Sequence, residues 1–151
     1  MKKRMLAALL LSALLFTLSG CGEKSLLNKK EPVSLTFWHV YGEQAGSPMD
    51  LLVQEFNRTV GQERGVQVQV TGMSSASQIG GYLKDAQSGG KGVQEMPDLF
   101  TCHIIDALEL GEDNLVPWNE QFTPDELSDF IPGFLSDGTA EDGRLLIFPV
   151  S

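Results

Sequence analysis

Apolar positions recur along this chain with two periods, and the changes between them mark out the elements. Val33-Ser34-Leu35-Thr36-Phe37-Trp38-His39 alternates and is β-branched and aromatic, the pattern of a strand. Val66-Gln67-Val68-Gln69-Val70 alternates strictly and is the strongest strand signal in the chain. Between the two, Met49, Leu52, Val53, Phe56 and Val60 fall on one helical face. Ser47 can cap that helix, Pro48 fits its first position, and Asp50 suits the positive end of the dipole. Gly65 ends the unit. Residues 74–88 read as a second helix, with Ile79, Tyr82, Leu83 and Ala86 on one side. Gly80-Gly81 weakens it by about 1 kcal/mol each relative to alanine.

Beyond a loop at residues 88–92, Pro97-Asp98 leads into Leu99-Phe100-Thr101-Cys102, a short apolar run that suits a buried parallel strand. Residues 105–110 predict a short helix stopped by Gly111, and residues 115–118 an extended segment. Thr123-Pro124-Asp125-Glu126 is the clearest helix start: a threonine cap, a proline at the first position and a glutamate at the third make a capping box. Leu127, Phe130, Ile131 and Phe134 follow it. A turn at residues 141–144 then precedes a strand at residues 145–148. Strands that alternate with helices predict an α/β layer of βαβ units, a mainly parallel sheet with helices on both faces. Ligands of such sheets sit beyond the carboxyl ends of the strands. The loops after Trp38, Gly72 and Phe100 are therefore the candidate site.

The first 20 residues stand outside this pattern. Met1-Lys2-Lys3-Arg4 is positive, residues 5–18 are apolar except for Ser12 and Thr17, and Ser19-Gly20 supplies small residues before Cys21. That order is a secretory signal, and its apolar run is shorter than the about 20 residues of a spanning helix. The other reading is an uncleaved N-terminal helix anchor. Leu18-Ser19-Gly20-Cys21 resembles the lipobox of bacterial lipoproteins, in which the cysteine thiol is acylated and becomes the new N-terminus. Two or more acyl chains, at about 0.8 kcal/mol per buried CH₂, hold a protein stably at a bilayer. Residues 1–20 are thus expected to be a signal peptide, residues 21–32 a lipid-anchored polar tether and residues 33–151 the folded domain. The expected location is the cell membrane, on its extracytoplasmic face.

Charge removes some partners. The chain has 11 basic and 20 acidic residues, and three of the basic ones lie in the signal, so residues 21–151 carry a net charge near −12. An acidic surface argues against a nucleic-acid partner and against a polybasic grip on anionic lipid. With Cys21 acylated, Cys102 has no partner for an intrachain disulfide and is expected to be a buried, inert thiol. His39, Cys102 and His103 lack the paired spacing of a zinc site. Gly89-Gly90-Lys91-Gly92 lacks the serine or threonine and the helix that a phosphate loop needs. No metal and no cofactor is expected.

Six segments, taken in order, carry a family resemblance: Leu35-Thr36-Phe37-Trp38-His39, Phe56-Asn57, Pro97-Asp98, Leu115-Val116, Phe130-Ile131-Pro132 and Phe148-Pro149-Val150-Ser151. Together they resemble the extracellular solute-binding proteins of ABC importers, of the sugar type that takes maltose or glycerol-3-phosphate. The resemblance runs from Val33 to Ser151. It implies two α/β lobes joined by crossing strands at a hinge, with residues 33–151 as the first lobe and the chain ending mid-protein. Its apolar residues 145–150 are then an edge or orphan strand. The implied function is capture of a carbohydrate or related polyol and its delivery to the permease subunits, without catalysis.

Each candidate side chain has a second reading. Trp38 and Tyr41 can stack on the apolar face of a sugar ring, and Trp38 can equally be core. His39 reads as a hydrogen-bonding loop residue rather than a base, because no paired acid or nucleophile is visible. Glu43 can accept from hydroxyls or be a solvated loop charge. Ser74, Ser75 and Ser77 can present hydroxyls to the cleft or cap the following helix. Thr101 and His103 follow the third strand and face one side by period two. Ser151 sits where the family begins its hinge contacts. The competing functions are a membrane-anchored extracellular carbohydrate-active enzyme and the sensor lobe of a receptor. The enzyme needs a nucleophile–base pair or a carboxylate pair, and neither is evident.

Overall fold

The computed structural model describes residues 27–42, 46–73 and 75–149. The signal segment, Cys21, Glu43, Ser74 and Ser151 lie outside the described residues. Strand β1 (Val33–His39) is followed by helix α1 (Pro48–Phe56), which continues through a π-helical turn (Asn57–Gly61) into Gln62–Arg64. Next come β2 (Val66–Gly72), α2 (Ala76–Ser88), β3 (Leu99–Phe100) and α3 (Ile104–Glu109). Two 3₁₀ turns (Glu112–Asn114 and Trp118–Glu120) lead to α4 (Pro124–Ser128) and α5 (Pro132–Asp137). The three strands form one parallel sheet in the order β2-β1-β3, so the fold is α/β as the alternation predicts.

β1 is the central strand, and its backbone groups must be satisfied on both sides. Val33 N–H donates to the Gly65 carbonyl and Met73 N–H donates to the His39 carbonyl, so the odd-numbered residues of β1 face β2. The even-numbered ones face β3, which is only two residues long. Two side chains extend that short strand. The Asp98 carboxylate accepts from Thr36 N–H at 2.8 Å and from the Thr36 hydroxyl at 2.9 Å. Asp98 N–H in turn donates to Thr36 Oγ1 at 3.0 Å. At the other end Thr101 Oγ1 accepts from Val40 N–H at 3.2 Å. Across the sheet, Asn57 closes the outer edge of β2. Its amide nitrogen donates to the Val68 carbonyl at 2.8 Å and its oxygen accepts from Val68 N–H at 2.7 Å, as a neighbouring strand would.

Alternation along β1 puts Trp38 on one face and Phe37 and His39 on the other. Trp38 packs with Met73, with Ile79 and Leu83 of α2 and with Leu110 after α3, and these form the core. His39 meets α1 through Asp50, so helices lie against both faces of the sheet. Of the glycine pair in α2, Gly80 has a packing reason and Gly81 faces open space. A Cβ on Gly80 would collide with the carboxylate of Asp106, which α3 lays against the helix backbone.

Several expectations need correction. Of the predicted α1 face, Met49, Val53 and Phe56 are half-buried, while Leu52 is 65 % exposed and Val60 is also exposed. A face drawn at 3.6 residues per turn does not carry through the π-helical turn, whose wider repeat rotates Val60 off the stripe. Ser47 does not cap α1; its hydroxyl is buried and has no partner among the described residues. The capping box at Thr123 forms in full, with Thr123 Oγ1 accepting from Glu126 N–H at 3.3 Å and Glu126 Oε2 accepting from Thr123 N–H at 2.8 Å. The helix it starts is nonetheless only five residues long. Pro132 cannot continue it and opens α5 instead, leaving Phe130, Ile131 and Phe134 exposed.

Residues 145–148 are not a strand. Leu145 makes a single antiparallel bridge to Thr139, and its carbonyl and N–H are taken by Trp118 N–H and Asn119 Oδ1. Leu146 and Ile147 both donate to the Gly138 carbonyl. Leu145 and Leu146 are buried rather than left as an orphan edge. Phe148 joins Trp118, Phe122 and Phe130 in an aromatic cluster, with ring centroids 4.7 to 5.8 Å from its own.

Hydrogen bonds from Thr36, the backbone N–H first and the hydroxyl second, hold the Asp98 carboxyl below its usual range. A folded-state value below the unfolded one stabilises the fold above the unfolded value of about 4, and that contribution is lost as pH falls through the lowered value. Asp98→Ala is expected to cost about 1 kcal/mol near neutral pH, at the low end for a charged acceptor because the group is exposed to water. The gap from wild type narrows on acidification below about pH 4. Urea denaturation of both proteins across that range measures it, and a gap that widens in acid overturns the assignment.

Candidate functional site

Three parallel strands bring their carboxyl ends to one edge of the sheet. The segments there are Val40 to Gly42 after β1, Met73 and Ser75 after β2, and Thr101 to His103 after β3. Two glycines draw the first two together. A Cβ on Gly42 would lie 2.7 Å from the Gly72 carbonyl carbon, and one on Gly72 would lie 2.8 Å from the Gly42 Cα. The chain after β1 therefore crosses the end of β2 in direct backbone contact, which only glycine permits.

Beneath this crossing lies His39, with 0 % exposure. Its Nδ1 accepts from Tyr41 N–H at 3.1 Å. That bond assigns the ring hydrogen to Nε2, which donates to Asp50 Oδ1 at 2.9 Å. The ring stacks near-parallel to that of Tyr41 at 6.0 Å and tilts against Phe37 at 5.6 Å. Both nitrogens are thus committed, and the lone pair that a general base needs is occupied by a backbone N–H. The imidazole instead ties the end of β1, the following loop and the first turn of α1 into one unit. Asp50, oriented by His39, has a side chain 42 % exposed and presents a carboxylate edge to solvent.

The remaining candidates divide. Trp38 is 4 % exposed and belongs to the core, the packing alternative of its two readings. Tyr41 is half-buried at the crossing. Thr101 is half-buried and spends its hydroxyl on Val40 N–H. His103 is exposed at the position before α3 and does not cap it. Because β3 ends at Phe100, the period-two argument that set Thr101 and His103 on one side does not extend to them. Ser75 stands at the cap position of α2, yet its hydroxyl meets the Ser77 hydroxyl at 3.0 Å rather than capping. The structure therefore gathers His39, Tyr41 and Thr101 around the end of β1 and leaves His103 outward. Glu43, Ser74 and Ser151 lie outside the described residues.

Sequence reasoning missed Asp50 as a member of this group. Its readable signal is an acid in the first turn of the helix that follows a strand ending in histidine, 11 residues on. Asp50 also lines a shallow depression of about 350 Å³ along the outer edge of β2, with Gln54, Asn57, Val70 and Gly72. A depression of about 380 Å³ beside Lys29, Arg58 and Gly65 lies at the amino ends of the strands, away from the loops. Among the described residues, no cluster of three histidine, cysteine or acidic side chains is poised to hold a metal, and no helix is long and apolar enough to cross a membrane.

Cys102 is a partly buried free thiol packed against the core. Burial, and then the charge of Asp106, push its pKa up to about 11, with Ala107 N–H opposing them.

Comparison with protein-family models, with characterised proteins and with solved structures finds no match to this chain.

Cys102 should accordingly react slowly. In a chain whose Cys21 is replaced by serine, modification by a disulfide reagent near neutral pH is expected to be about a hundredfold slower than for an ordinary thiol of pKa about 8.5. The rate should climb towards pH 11. Rapid stoichiometric modification of the folded chain at neutral pH contradicts this.

Proposed function

We propose that this chain supplies a ligand-binding lobe of an extracytoplasmic solute-binding lipoprotein, which captures a carbohydrate or related polyol and passes it to an ABC importer permease. The observation that carries the reading is the parallel sheet whose three carboxyl ends meet at one edge, where Tyr41, Asp50 and Thr101 surround the end of β1. An aromatic ring and an oriented carboxylate, both held by His39, suit a ligand with apolar ring faces and many hydroxyls. The family resemblance of the sequence supports the same reading. In it, the lobe has a periplasmic-binding-protein-like fold and forms one wall of a cleft that a second lobe closes. The anchored-enzyme alternative is less well supported, since both nitrogens of the buried histidine at this edge are engaged in hydrogen bonds that hold the edge together.

One wall buries about half of a ligand, whereas good sites bury about 70–90 % of its surface. Residues 22–151 alone should therefore bind sugars with dissociation constants of the order of millimolar. In a titration with a sugar panel followed by amide chemical shifts, the movements should cluster at residues 40–42 and 101–103. Tyr41→Ala should weaken binding by about 1 kcal/mol or more without loss of fold. Absence of any localised shift across the panel, or release of product from a panel sugar, overturns the proposal.

The anchor has its own test. Cys21→Ala should move the protein from the membrane fraction to the soluble fraction and abolish labelling by a radioactive fatty acid. A variant that sediments with membranes as before refutes acylation at Cys21.

A further inference from the structure

The neutral imidazole of His39 makes opposite demands on its two sides. Nδ1 serves as an acceptor for Tyr41 N–H, and Nε2–H serves as a donor to Asp50. We propose that His39 is a pH-sensitive latch, in which a second proton on the ring releases Tyr41 from the end of β1. The proton comes from solvent and lands on Nδ1, the only ring lone pair. Tyr41 N–H then faces an N–H donor, and its bond is lost. The bond to Asp50 is kept and becomes charge-assisted, so the carboxylate supports the charged ring while the loop side rejects it.

The groups that face His39 fit this asymmetry. From α1 comes the carboxylate of Asp50, which enters no other ion pair among the described residues. From the segment after β1 come the amide and the stacked phenol ring of Tyr41. From β1 itself comes the Phe37 ring. From the end of β2 comes the backbone of Gly72, where a Cβ would stand 3.7 Å from His39 Cε1. Among the described residues that face it, only Asp50 brings a charge. On the Nδ1 side the described residues place a backbone donor and no acid, so protonation there displaces Tyr41. Gly42 follows Tyr41 directly and rests on Gly72, so the crossing that shapes this edge loosens with it. The latch holds whatever ligand the edge takes.

The test is amide hydrogen exchange on the full chain in detergent micelles, compared at about pH 8 and about pH 5. Protection factors corrected for the intrinsic pH dependence are compared with that of Leu83, which is fully buried in α2. Protection of the Tyr41 amide is expected to fall about tenfold or more in acid while that of Leu83 holds. Over the same interval the imidazole nitrogen resonances should show Nδ1 gaining its proton. In His39→Asn the side-chain carbonyl takes the place of Nδ1 and cannot titrate, so Tyr41 should stay equally protected at both pH values. The latch is overturned if Tyr41 protection does not change, if it falls in step with Leu83, or if the asparagine variant shows the same fall. Should that variant fail to fold, the wild-type nitrogens decide. Nδ1 left unprotonated at about pH 5 in the folded chain overturns the latch, and protonation together with loss of Tyr41 protection upholds it.

Discussion

The central strand needs partners on both sides, and the sheet has barely enough backbone to supply them. β2 matches β1 along its whole length, but β3 offers two residues. The deficit is met by side chains. Asp98 stands in for backbone before β3 begins, and Thr101 does so after it ends. Asn57 does the same on the outer edge of β2. Each substitution is a polar group placed where an unpaired N–H or C=O would otherwise face a packed neighbour or an open edge. Three short polar side chains therefore supplement the ladder where it runs out, and two of them mark the ends of β3.

What can be read from sequence follows from range. The alternation of β1 and β2 reports one strand's own two faces, and the capping box at Thr123 closes within three residues. Both are legible because the cause is local. The Thr36–Asp98 clamp spans 62 residues, and Pro97-Asp98 carries no sign of its partner. β3 is shorter than its apolar run suggests, because such a run reports burial and not pairing. Residues 145–148 mislead for the same reason. Leu145 and Leu146 are buried as their composition demands, but turns at Gly138 and Trp118 use their backbone groups. The stripe of α1 fails at Val60 because a π-helical turn changes the period without a local signal in composition.

The candidate site shows the same division. That the three loops share an edge is legible, since parallel strands bring their carboxyl ends together. The roles of its members are not. Trp38 and His39 are neighbours in sequence, yet alternation sends one into the core below α2 and the other under α1. An aromatic residue at a strand end is therefore as easily a wall of the core as a platform for a ligand. That His39 forms hydrogen bonds is readable from its surroundings in the chain, but its partners require the fold: one acid from the following helix and one amide two residues on.

Burial along β1 is graded, and the gradient bears on what the edge can do. Ser34 and Thr36 near its amino end are exposed, and so are Gln67 and Gln69 opposite them on β2. Trp38 and His39 at its carboxyl end are buried, one on each face. The core thus lies off-centre, directly under the loops, rather than beneath the middle of the sheet. Loops are ordinarily the least restrained part of an α/β layer. Here the segment after β1 rests on a buried ring that it also hydrogen-bonds, and it crosses the end of β2 at backbone contact distance. A face that presents Tyr41 and Asp50 from such a platform loses less conformational freedom on meeting a ligand than a free loop does.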